Sequence, residues 1–453
     1  MSTMDEVISL CKRRGFVYPG SEIYGGLANT WDYGPYGAVL KRNIVNLWWK
    51  SFIEDRDDML ALDSAILMNP RVWEASGHIA NFADPLMDCK NCKERVRGDK
   101  ILEEHLKETI AGLSNQEIYA RIMDAKIPCP KCGKVNWTEP RAFNLMFKTY
   151  QGVVEDTAEQ IYLRPETAQG IFVNFKNILD SMRVRLPFGV GQVGKSFRNE
   201  ITPGNFIFRT REFEQMEIEY FVRPEDSERA FDQWVEDFKQ FFVALGIPEN
   251  KLRLRYHEKD ELSHYSSKTV DFEYEYPFGW GELMGIAHRG SFDLDQHSKF
   301  SGEKLQYRDP VSNEVFVPHT VEPALGLTRS VLIVLLSAYE EQELEGGEKR
   351  TVMHFAPALA PVQVAVFPLQ KQQSEAASKL YKSLKKSFRS EYDESGAIGK
   401  RYRRQDEIGT PFCVTYDFQS DDDAAVTVRE RDSMKQERVK MEDLEAYLSK
   451  RLL

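Results

Sequence analysis

Apolar and polar positions follow two rhythms along this chain. Over residues 36–53, Leu40, Ile44, Leu47, Trp48 and Phe52 recur at helical spacing behind Pro35, which predicts a long amphipathic helix. Residues 60–70 alternate loosely and close on Pro70, as an edge strand does. The charged segment between Cys89 and Cys132 reads as an insertion whose middle, 101–123, holds one or two polar helices. Residues 161–165, 190–197, 206–220 and 270–285 read as strands of one antiparallel sheet, separated by turn clusters such as Thr202-Pro203-Gly204-Asn205. Helices are expected over 227–245 and 328–343. Beyond Glu345-Gly346-Gly347-Glu348 the pattern changes. A buried strand over 362–367, a helix over 371–388 and strands over 410–416 and 424–429 describe a compact domain rich in βαβ units.

The fold class is therefore α+β. With 453 residues, 42 % of them hydrophobic and 29 % charged, the chain has material for two to four domains and is neither disordered nor fibrous. No 20- to 50-residue period repeats, which excludes solenoids and propellers. The longest apolar run, 331–336, is far short of the ~20 residues that a membrane-spanning helix needs, so no membrane partner is expected. Asp5 and Glu6 stand where a secretory signal would be basic, and a cytoplasmic location is expected. Of six cysteines, four fall as two pairs, Cys89/Cys92 and Cys129/Cys132, which suggests metal rather than disulfide. A zinc site with these four thiolates as ligands, stapling the insertion, is the preferred reading, and reduced structural thiols are the alternative.

The formal charge is −11, but it is unevenly spread. Residues 362–453 hold 17 basic and 16 acidic residues, and nine of the basic ones lie within 379–404: Lys379, Lys382, Lys385, Lys386, Arg389, Lys400, Arg401, Arg403 and Arg404. With Tyr381, Phe388 and Tyr402 interleaved, this stretch suits a backbone-and-stacking grip on single-stranded RNA, and a solvated helix face is the plainer reading. One glycine pattern is rejected. The run from Gly189 to Ser196 matches both a phosphate-binding loop and a dinucleotide fingerprint, yet each needs a helix immediately afterwards, and Phe197-Arg198-Asn199-Glu200 continues as a strand into a turn.

That same strand carries the chemistry. Arg198-x-Glu200, a turn, and Arg209-x3-Phe213-x3-Glu217 resemble motif 2 of the class II aminoacyl-tRNA synthetases. The 36–53 helix and the strand closing on Pro70 resemble motif 1, the dimer-forming element, and Gly326-Leu327-Thr328-Arg329 before an apolar helix resembles motif 3. The segment from Phe16 to Tyr33, the run Arg164-Pro165-Glu166-Thr167-Ala168-Gln169-Gly170-Ile171 and the pair Glu322-Pro323 are similar to the bacterial-type dimeric glycyl-tRNA synthetases, and the likeness covers essentially the whole chain. It implies an antiparallel catalytic sheet with flanking helices and a C-terminal α/β anticodon-binding domain. The expected divisions are 1–88 for the first catalytic part, 89–140 for the cysteine-pair insertion, 141–350 for the second catalytic part and 351–453 for the anticodon-binding domain. Implied partners are glycine, its tRNA and a second copy of the chain.

Activation sends a carboxylate against the α-phosphate of ATP, so developing negative charge must meet fixed guanidinium groups. Arg198 is the candidate for the α-phosphate, and Arg329 and Arg209 for the γ-phosphate end. Phe213 offers adenine an aromatic face, and Glu200 can accept from its exocyclic amine. The resemblance adds Asn199, Phe208, Thr210, Arg211 and Glu212 from motif 2 to the ATP site. From elsewhere it adds Leu283, Gly326, Leu327 and Thr328. Glu282 is the expected Mg²⁺ ligand, since that ion prefers carboxylate and phosphate oxygens.

Glycine has no side chain to recognise, so its site must hold the ammonium and leave no room for a Cβ. Glu166, Glu217 and Glu322 match the acids around the ammonium in the family. The resemblance also places Arg97, Phe213, Glu214, Gln215 and Met216 near glycine, with Pro323, Ala324, Leu325 and Gly326. Arg289 is read either as a partner of these acids or as facing the site. Two positions depart from the family pattern, Ala324 where serine is usual and Thr328 where motif 3 shows glycine or aspartate. Lone histidines such as His78, His288 and His319 read as hydrogen-bonded structure. A non-catalytic nucleic-acid-binding accessory protein on the same fold is the rival reading, and it should have lost Arg198, Arg209 and Arg329. A synthetase for another small amino acid is the second rival, to be exposed by activation of alanine or serine.

Overall fold

The computed structural model describes residues 3–107, 110, 113–152, 160–259, 261–263, 266–344 and 346–452. Met1, Ser2 and Glu345, used in the sequence reading, lie outside them. No helix among the described residues is long and apolar enough to cross a membrane.

A seven-stranded sheet is the frame. Its strands run in the spatial order Leu252–Tyr256, Lys268–Tyr276, Gly279–Gly290, His319–Gly326, Glu212–Val222, Phe188–Phe197 and Met59–Ala61. Every neighbouring pair is antiparallel except the last, in which Met59–Ala61 runs parallel to Phe188–Phe197. Because side chains alternate across a strand, each central strand serves two layers. Met216, Ile218 and Tyr220, with Leu325, Met284 and Ile286 beside them, enter a large apolar core. Leu40, Ile44 and Trp48 from the Pro35–Trp49 helix join that core, as do Phe231, Trp234 and Phe238 from Ser227–Ala244 and Val331 to Leu335 from Leu327–Ala338. On the opposite face, Phe221, Phe188 and Val190 pack under Ile171, Phe172 and Phe175 of the Ala168–Met182 helix. Farther along that face the alternation presents Gln215, Glu217 and Glu219 instead.

The glycines of the rejected loop pattern sit inside the Phe188–Phe197 strand. A Cβ at Gly191 would lie 2.4 Å from Ile53 Cδ1, and one at Gly194 would lie 2.2 Å from the Arg164 guanidinium, so close packing explains them rather than phosphate.

Several expected elements differ. In the edge strand expected over 60–70, the ladder is confined to Met59–Ala61, Leu67 makes an isolated bridge to Leu163, and Pro70 precedes the Arg71–Ala75 helix. The reason is that the Ser64 carbonyl accepts from Arg164 Nη1 (2.8 Å) and its backbone N–H donates to Gln192 Oε1 (3.3 Å) instead of to a strand partner. Residues 161–165 do not join the main sheet. Gln160–Tyr162 pairs with Lys148–Tyr150, and Arg164 is buried, donating to the Lys195 carbonyl (2.7 Å). Phe206–Phe208 is a 3₁₀ turn, so the strand begins at Glu212. The single strand expected over 270–285 is a hairpin that turns at residues 277–278. The helix expected to reach 343 stops at Ala338, because the like charges of Glu340, Glu341 and Glu343 suit the exposed Tyr339–Glu343 strand that pairs with Lys349–Met353.

Residues 83–144 build a separate small lobe. A three-stranded sheet in the order Arg95–Arg97, Ala83–Asp88, Arg141–Asn144 packs with two helices, Gly98–Leu106 and Asn115–Asp124, around Met87, Val96, Leu102, Ile118, Ile122 and Trp137. The C-terminal unit is a five-stranded mixed sheet in the order Ser390–Tyr392, Val364–Pro368, Phe412–Tyr416, Ala425–Glu430, Gln436–Lys440, with the Ser374–Leu384 and Leu444–Leu452 helices packed on it. The aromatic residues that interleave its basic stretch pack within the unit, while Phe418 outside that stretch is exposed. Phe388 is core, Tyr402 packs edge-on against Phe367 with its hydroxyl on Thr415, and Tyr381 packs on Tyr392. Arg389 and Arg401 are likewise tied to backbone carbonyls, at Ala360 (3.2 Å) and Gly396 (2.8 Å). Lys379, Lys382, Lys385, Lys386 and Lys400 remain exposed.

One contact tests this packing. A Cβ at Gly37 would fall 1.8 Å from the Phe16 carbonyl oxygen, so the Pro35–Trp49 helix sits directly on the chain around Phe16. Gly37→Ala is predicted to destabilise by about 1–3 kcal/mol despite its better helix propensity. A urea midpoint equal to or above that of the parent would refute this close approach.

Candidate functional site

The polar stretch of the central sheet opens into a cleft of about 280 Å³, near the lower end of the roughly 300–1,000 Å³ of ligand pockets. Register places its residues. Glu217 lies opposite Ala324, which lies opposite Gly285, which lies opposite Asp271, so two small residues form the floor between carboxylates at either side.

One end of the cleft is cationic. Arg198 follows the Phe188–Phe197 strand and donates through Nε to the Pro165 carbonyl (3.0 Å). Its guanidinium lies over the rings of Phe82 (5.3 Å) and Phe213 (5.2 Å), with no carboxylate in ion-pair range among the described residues. Arg329, at the start of Leu327–Ala338, donates to the carbonyls of Phe208 (3.3 Å) and Glu282 (2.7 Å) and lies over the Phe208 ring (4.5 Å). Arg209 lines the same wall. Glu282 has a side chain about half exposed, and Arg329, followed by Arg198 and Arg209, holds its carboxyl below the ordinary range. One carboxylate oxygen of Glu200 is buried with no protein partner, an acceptor left open toward the cleft it lines. Three guanidiniums beside an aromatic face and an open acceptor suit a polyphosphate carrying a purine.

The other end is acidic. Glu166, Glu217, Glu219, Glu322 and Asp293 are all buried. Arg289 donates to both Asp293 oxygens (2.7 and 2.8 Å) and to Glu322 (2.9 Å). Burial opposes ionisation of Glu166, but His78 (3.4 Å away), Arg289 and the Gln169 amide outweigh it and hold this carboxyl below its usual range. Burial, then the charge of Glu166, pushes Glu217 up to about 7, although the Thr167 hydroxyl donates to it. Burial outweighs Arg289 at Glu322, which Glu217 and Glu166 push further, to about 8. Glu219 is fully buried with both oxygens unpartnered, and burial and Glu322 raise it well above the ordinary value. The carboxyls outnumber their cations. An entering ammonium would meet unspent negative charge and displace protons.

The four cysteines are brought together. Their Sγ atoms lie within 4.8 Å of one another, with Cys89–Cys132 and Cys92–Cys129 each at 3.6 Å. A tetrahedral zinc with Zn–S bonds of ~2.3 Å requires S···S edges of ~3.8 Å, so the cluster fits. The two loops are alike. In one, Cys89 N–H donates to Glu94 O (2.8 Å) and Lys93 N–H to Cys89 O (2.9 Å); in the other, Cys129 donates to Lys134 (3.0 Å) and Gly133 to Cys129 (2.9 Å). Lys93 and Gly133 share the left-handed conformation, with φ of 62° and 70°. Backbone N–H groups, first that of Cys92, bring the Cys89 thiol down to about 6, whereas at Cys92 the Glu94 N–H is outweighed by burial and the three neighbouring sulfurs, which push the thiol up to about 12, so the cluster shares its protons unevenly until a cation enters.

Of the expected site residues, Glu166, Arg198, Glu200, Phe208, Arg209, Thr210, Phe213, Gln215 and Glu217 line the cleft together with Glu282, Leu283, Glu322, Ala324, Gly326, Thr328 and Arg329. Others point elsewhere. Met216, Leu325 and Leu327 are core and Pro323 lies on the core side of its strand, whereas Glu214 also lines the cleft and pairs with Lys41. Arg211 holds the Ala28 and Glu200 carbonyls, and Glu212 pairs with Lys195. Asn199 reaches Leu145 through its backbone N–H (2.7 Å). Arg97 does not line the cleft; Asp84 (2.8 Å) and Asp99 (2.6 Å) clamp it beside Glu200 and Arg209. The sequence reading missed Glu219 and Asp293, as well as the Asp271–His257 pair (2.7 Å) in the cleft wall. Period two from Glu217 points to Glu219, and reading 270–285 as a hairpin would have set Asp271 across from Gly285.

Two family models match the chain. A tRNA synthetase class II core domain (G, H, P, S and T) covers residues 147–338, and an anticodon binding domain covers 363–451. The glycine–tRNA ligase of Caldanaerobacter subterraneus subsp. tengcongensis is 57 % identical over 99 % of this chain and 98 % of its own length. That of Geobacillus thermodenitrificans is 56 % identical over 100 % and 98 %. Among solved structures, a prolyl-tRNA synthetase from Cryptosporidium parvum superposes with a TM-score of 0.66 at 15 % identity, over 99 % of this chain and 77 % of that one, a likeness of fold.

Proposed function

Because this chain belongs to the glycine–tRNA ligase family, we propose that its cleft joins glycine to ATP and passes the glycyl group to the 3′ end of tRNA. The observation that carries this reading is the division of one cleft into a cationic end that fits a nucleotide and an acidic end that fits an ammonium. The glycine carboxylate, ionised at neutral pH because such groups titrate near ~3.5, attacks the α-phosphorus without a general base, and the bond to pyrophosphate breaks. Arg198 meets the charge that develops there. Arg209 and Arg329 hold the γ-phosphate end, Phe213 carries adenine and Glu200 accepts from its amine. Thr210, Leu283, Gly326 and Thr328 frame the nucleotide, with Asn199 set beside it by its backbone hydrogen bond to Leu145. Glu282 supplies the hard carboxylate oxygen for Mg²⁺, which when bound with ATP neutralises phosphate charge. Glu166, Glu217 and Glu322 take the ammonium above the Gly285–Ala324 floor. In the second step the terminal ribose hydroxyl attacks the glycyl carbonyl carbon and AMP departs.

The C-terminal unit is assigned to the anticodon, its exposed lysines facing the RNA backbone. The chain is expected to act in the cytoplasm as a homodimer through the motif 1 helix, in the four divisions 1–88, 89–140, 141–350 and 351–453, with the flanking strands of the small lobe widening the second to 83–144. The cysteine cluster is assigned zinc, as the 3.6 Å sulfur spacing favours.

Three outcomes are predicted. Pyrophosphate exchange into ATP should require glycine, with alanine and serine inactive, and Arg198→Ala should lower it by at least about 100-fold; exchange with no amino acid would favour the accessory-protein reading. Since Glu217 and Glu322 titrate near 7 and 8 and the ammonium needs their charged forms, protons compete with glycine at low pH. The KM for glycine should therefore fall by roughly three- to tenfold from pH 6 to pH 8, and Glu217→Gln should flatten the dependence. A KM constant over that range would remove the proton-linked role. Purified protein should carry about one zinc per chain by plasma mass spectrometry; Cys129→Ser/Cys132→Ser protein that kept a full equivalent would rule out the four-thiolate site.

A further inference from the structure

The sheet of the cysteine lobe has two ends, and both are occupied. At one end Asp88 leads straight into Cys89, and the four sulfurs draw together the two loops that close the lobe. At the other, the ends of two strands touch the tripeptide Arg198-Asn199-Glu200, and the third strand, whose Arg97 pairs in register with Leu86, sets a charge near it. Phe82, just before the Ala83–Asp88 strand, places its ring against the Arg198 guanidinium at 5.3 Å. Leu145, just after Arg141–Asn144, accepts the Asn199 N–H (2.7 Å) and donates its own N–H to the Phe82 carbonyl (3.0 Å). Arg97 ends the third strand, and its charge acts on Glu200 and Arg209 from the clamp of Asp84 and Asp99. A six-residue strand spans about 20 Å, so the sulfurs and the tripeptide are joined by one short hydrogen-bonded ladder.

A ladder of this kind moves as a body. It cannot slip by a single residue without turning every side chain to the wrong face. Arg198 needs such support, because among the described residues its terminal nitrogens make no hydrogen bond, and the Pro165 carbonyl and two rings set its plane. We infer that the four-cysteine lobe is a positioning element for the nucleotide tripeptide, with Phe82 the positioning residue for Arg198. Drawing the thiolates together then sets how Arg198, Asn199 and Glu200 meet ATP. The inference rests on the nucleotide and zinc assignments proposed above. It extends them by making a site that touches no substrate a determinant of ATP affinity.

The test uses the full chain with Phe82→Ala, Phe82→Tyr, Cys129→Ser/Cys132→Ser and Arg198→Ala. Pyrophosphate exchange is measured at varied ATP and at varied glycine, and amide hydrogen exchange is followed over residues 195–200. Phe82→Ala should raise the KM for ATP roughly tenfold while moving that for glycine less than about twofold, and Phe82→Tyr should restore it. The cysteine variant should lose its metal, raise the KM for ATP in the same direction and exchange the Asn199 amide faster with no nucleotide present. An unchanged KM for ATP in Phe82→Ala beside an inactive Arg198→Ala would overturn the inference alone. Full activity in Arg198→Ala would overturn the nucleotide assignment and the inference with it. A metal-free cysteine variant whose faster exchange stops at residue 144 would also overturn it, leaving the zinc assignment intact.

Discussion

Arg289 is the group around which the acidic end of the cleft is arranged. It is buried, grips Asp293 with two hydrogen bonds and Glu322 with a third, and lies over the Phe172 ring. Without that charge, five carboxyls could not share one desolvated volume, since each raises the cost of ionising the next. Even with it, Glu217, Glu219 and Glu322 remain above their ordinary values. The pocket is therefore left short of one positive charge. For a substrate with no side chain, an unmet cation requirement is nearly the only available handle.

The cationic end is built on a different principle. Arg329 is braced by backbone carbonyls, whereas Arg198 is held by one carbonyl and two rings, so its donors are not spent on a carboxylate. A guanidinium engaged by an acid would have to break that pair before meeting phosphate, while one oriented by carbonyls and ring faces waits in place. The two ends belong to one strand, Glu212–Val222, whose alternate residues Phe213, Gln215, Glu217 and Glu219 run from the aromatic face at the cationic end to the acidic end. Adjacency of the two substrates thus follows from the pleat.

Away from the cleft, ion pairs bind the C-terminal unit to the rest. Buried Arg350 donates to Asp406 (2.8 Å), which also accepts from Arg429 (2.9 Å), and Arg431 holds the Phe355 carbonyl (3.0 Å). Arg13 and Arg14 of the first helix reach Glu407. Within the stretch that looks like an RNA-binding patch, Arg404 pairs with Asp393, Arg403 with Glu348, and Arg389 and Arg401 are held by backbone carbonyls. What remains for RNA is a smaller set of exposed lysines.

The amino-acid order alone specified the long Pro35–Trp49 helix, the motif 2 strands and the rejection of the glycine loop, because these follow from local periodicity and from spacing within a hairpin, and most of the charged residues of the cleft were reached through the family resemblance those motifs carry. It also paired the cysteines, since two short loops of the same form can be read as such. What it left open involves contacts far apart in the chain. Residues 62–70 lost their strand to Arg164 and Gln192, more than a hundred residues away, and Met216 and Leu325 turned to the core because the pleat, not proximity in sequence, sets which side chains face a cleft. Glu219, Asp293, Asp271 and the clamp on Arg97 came into view only when strands and helices distant in sequence were packed together, for burial and charge coupling belong to neighbours in space.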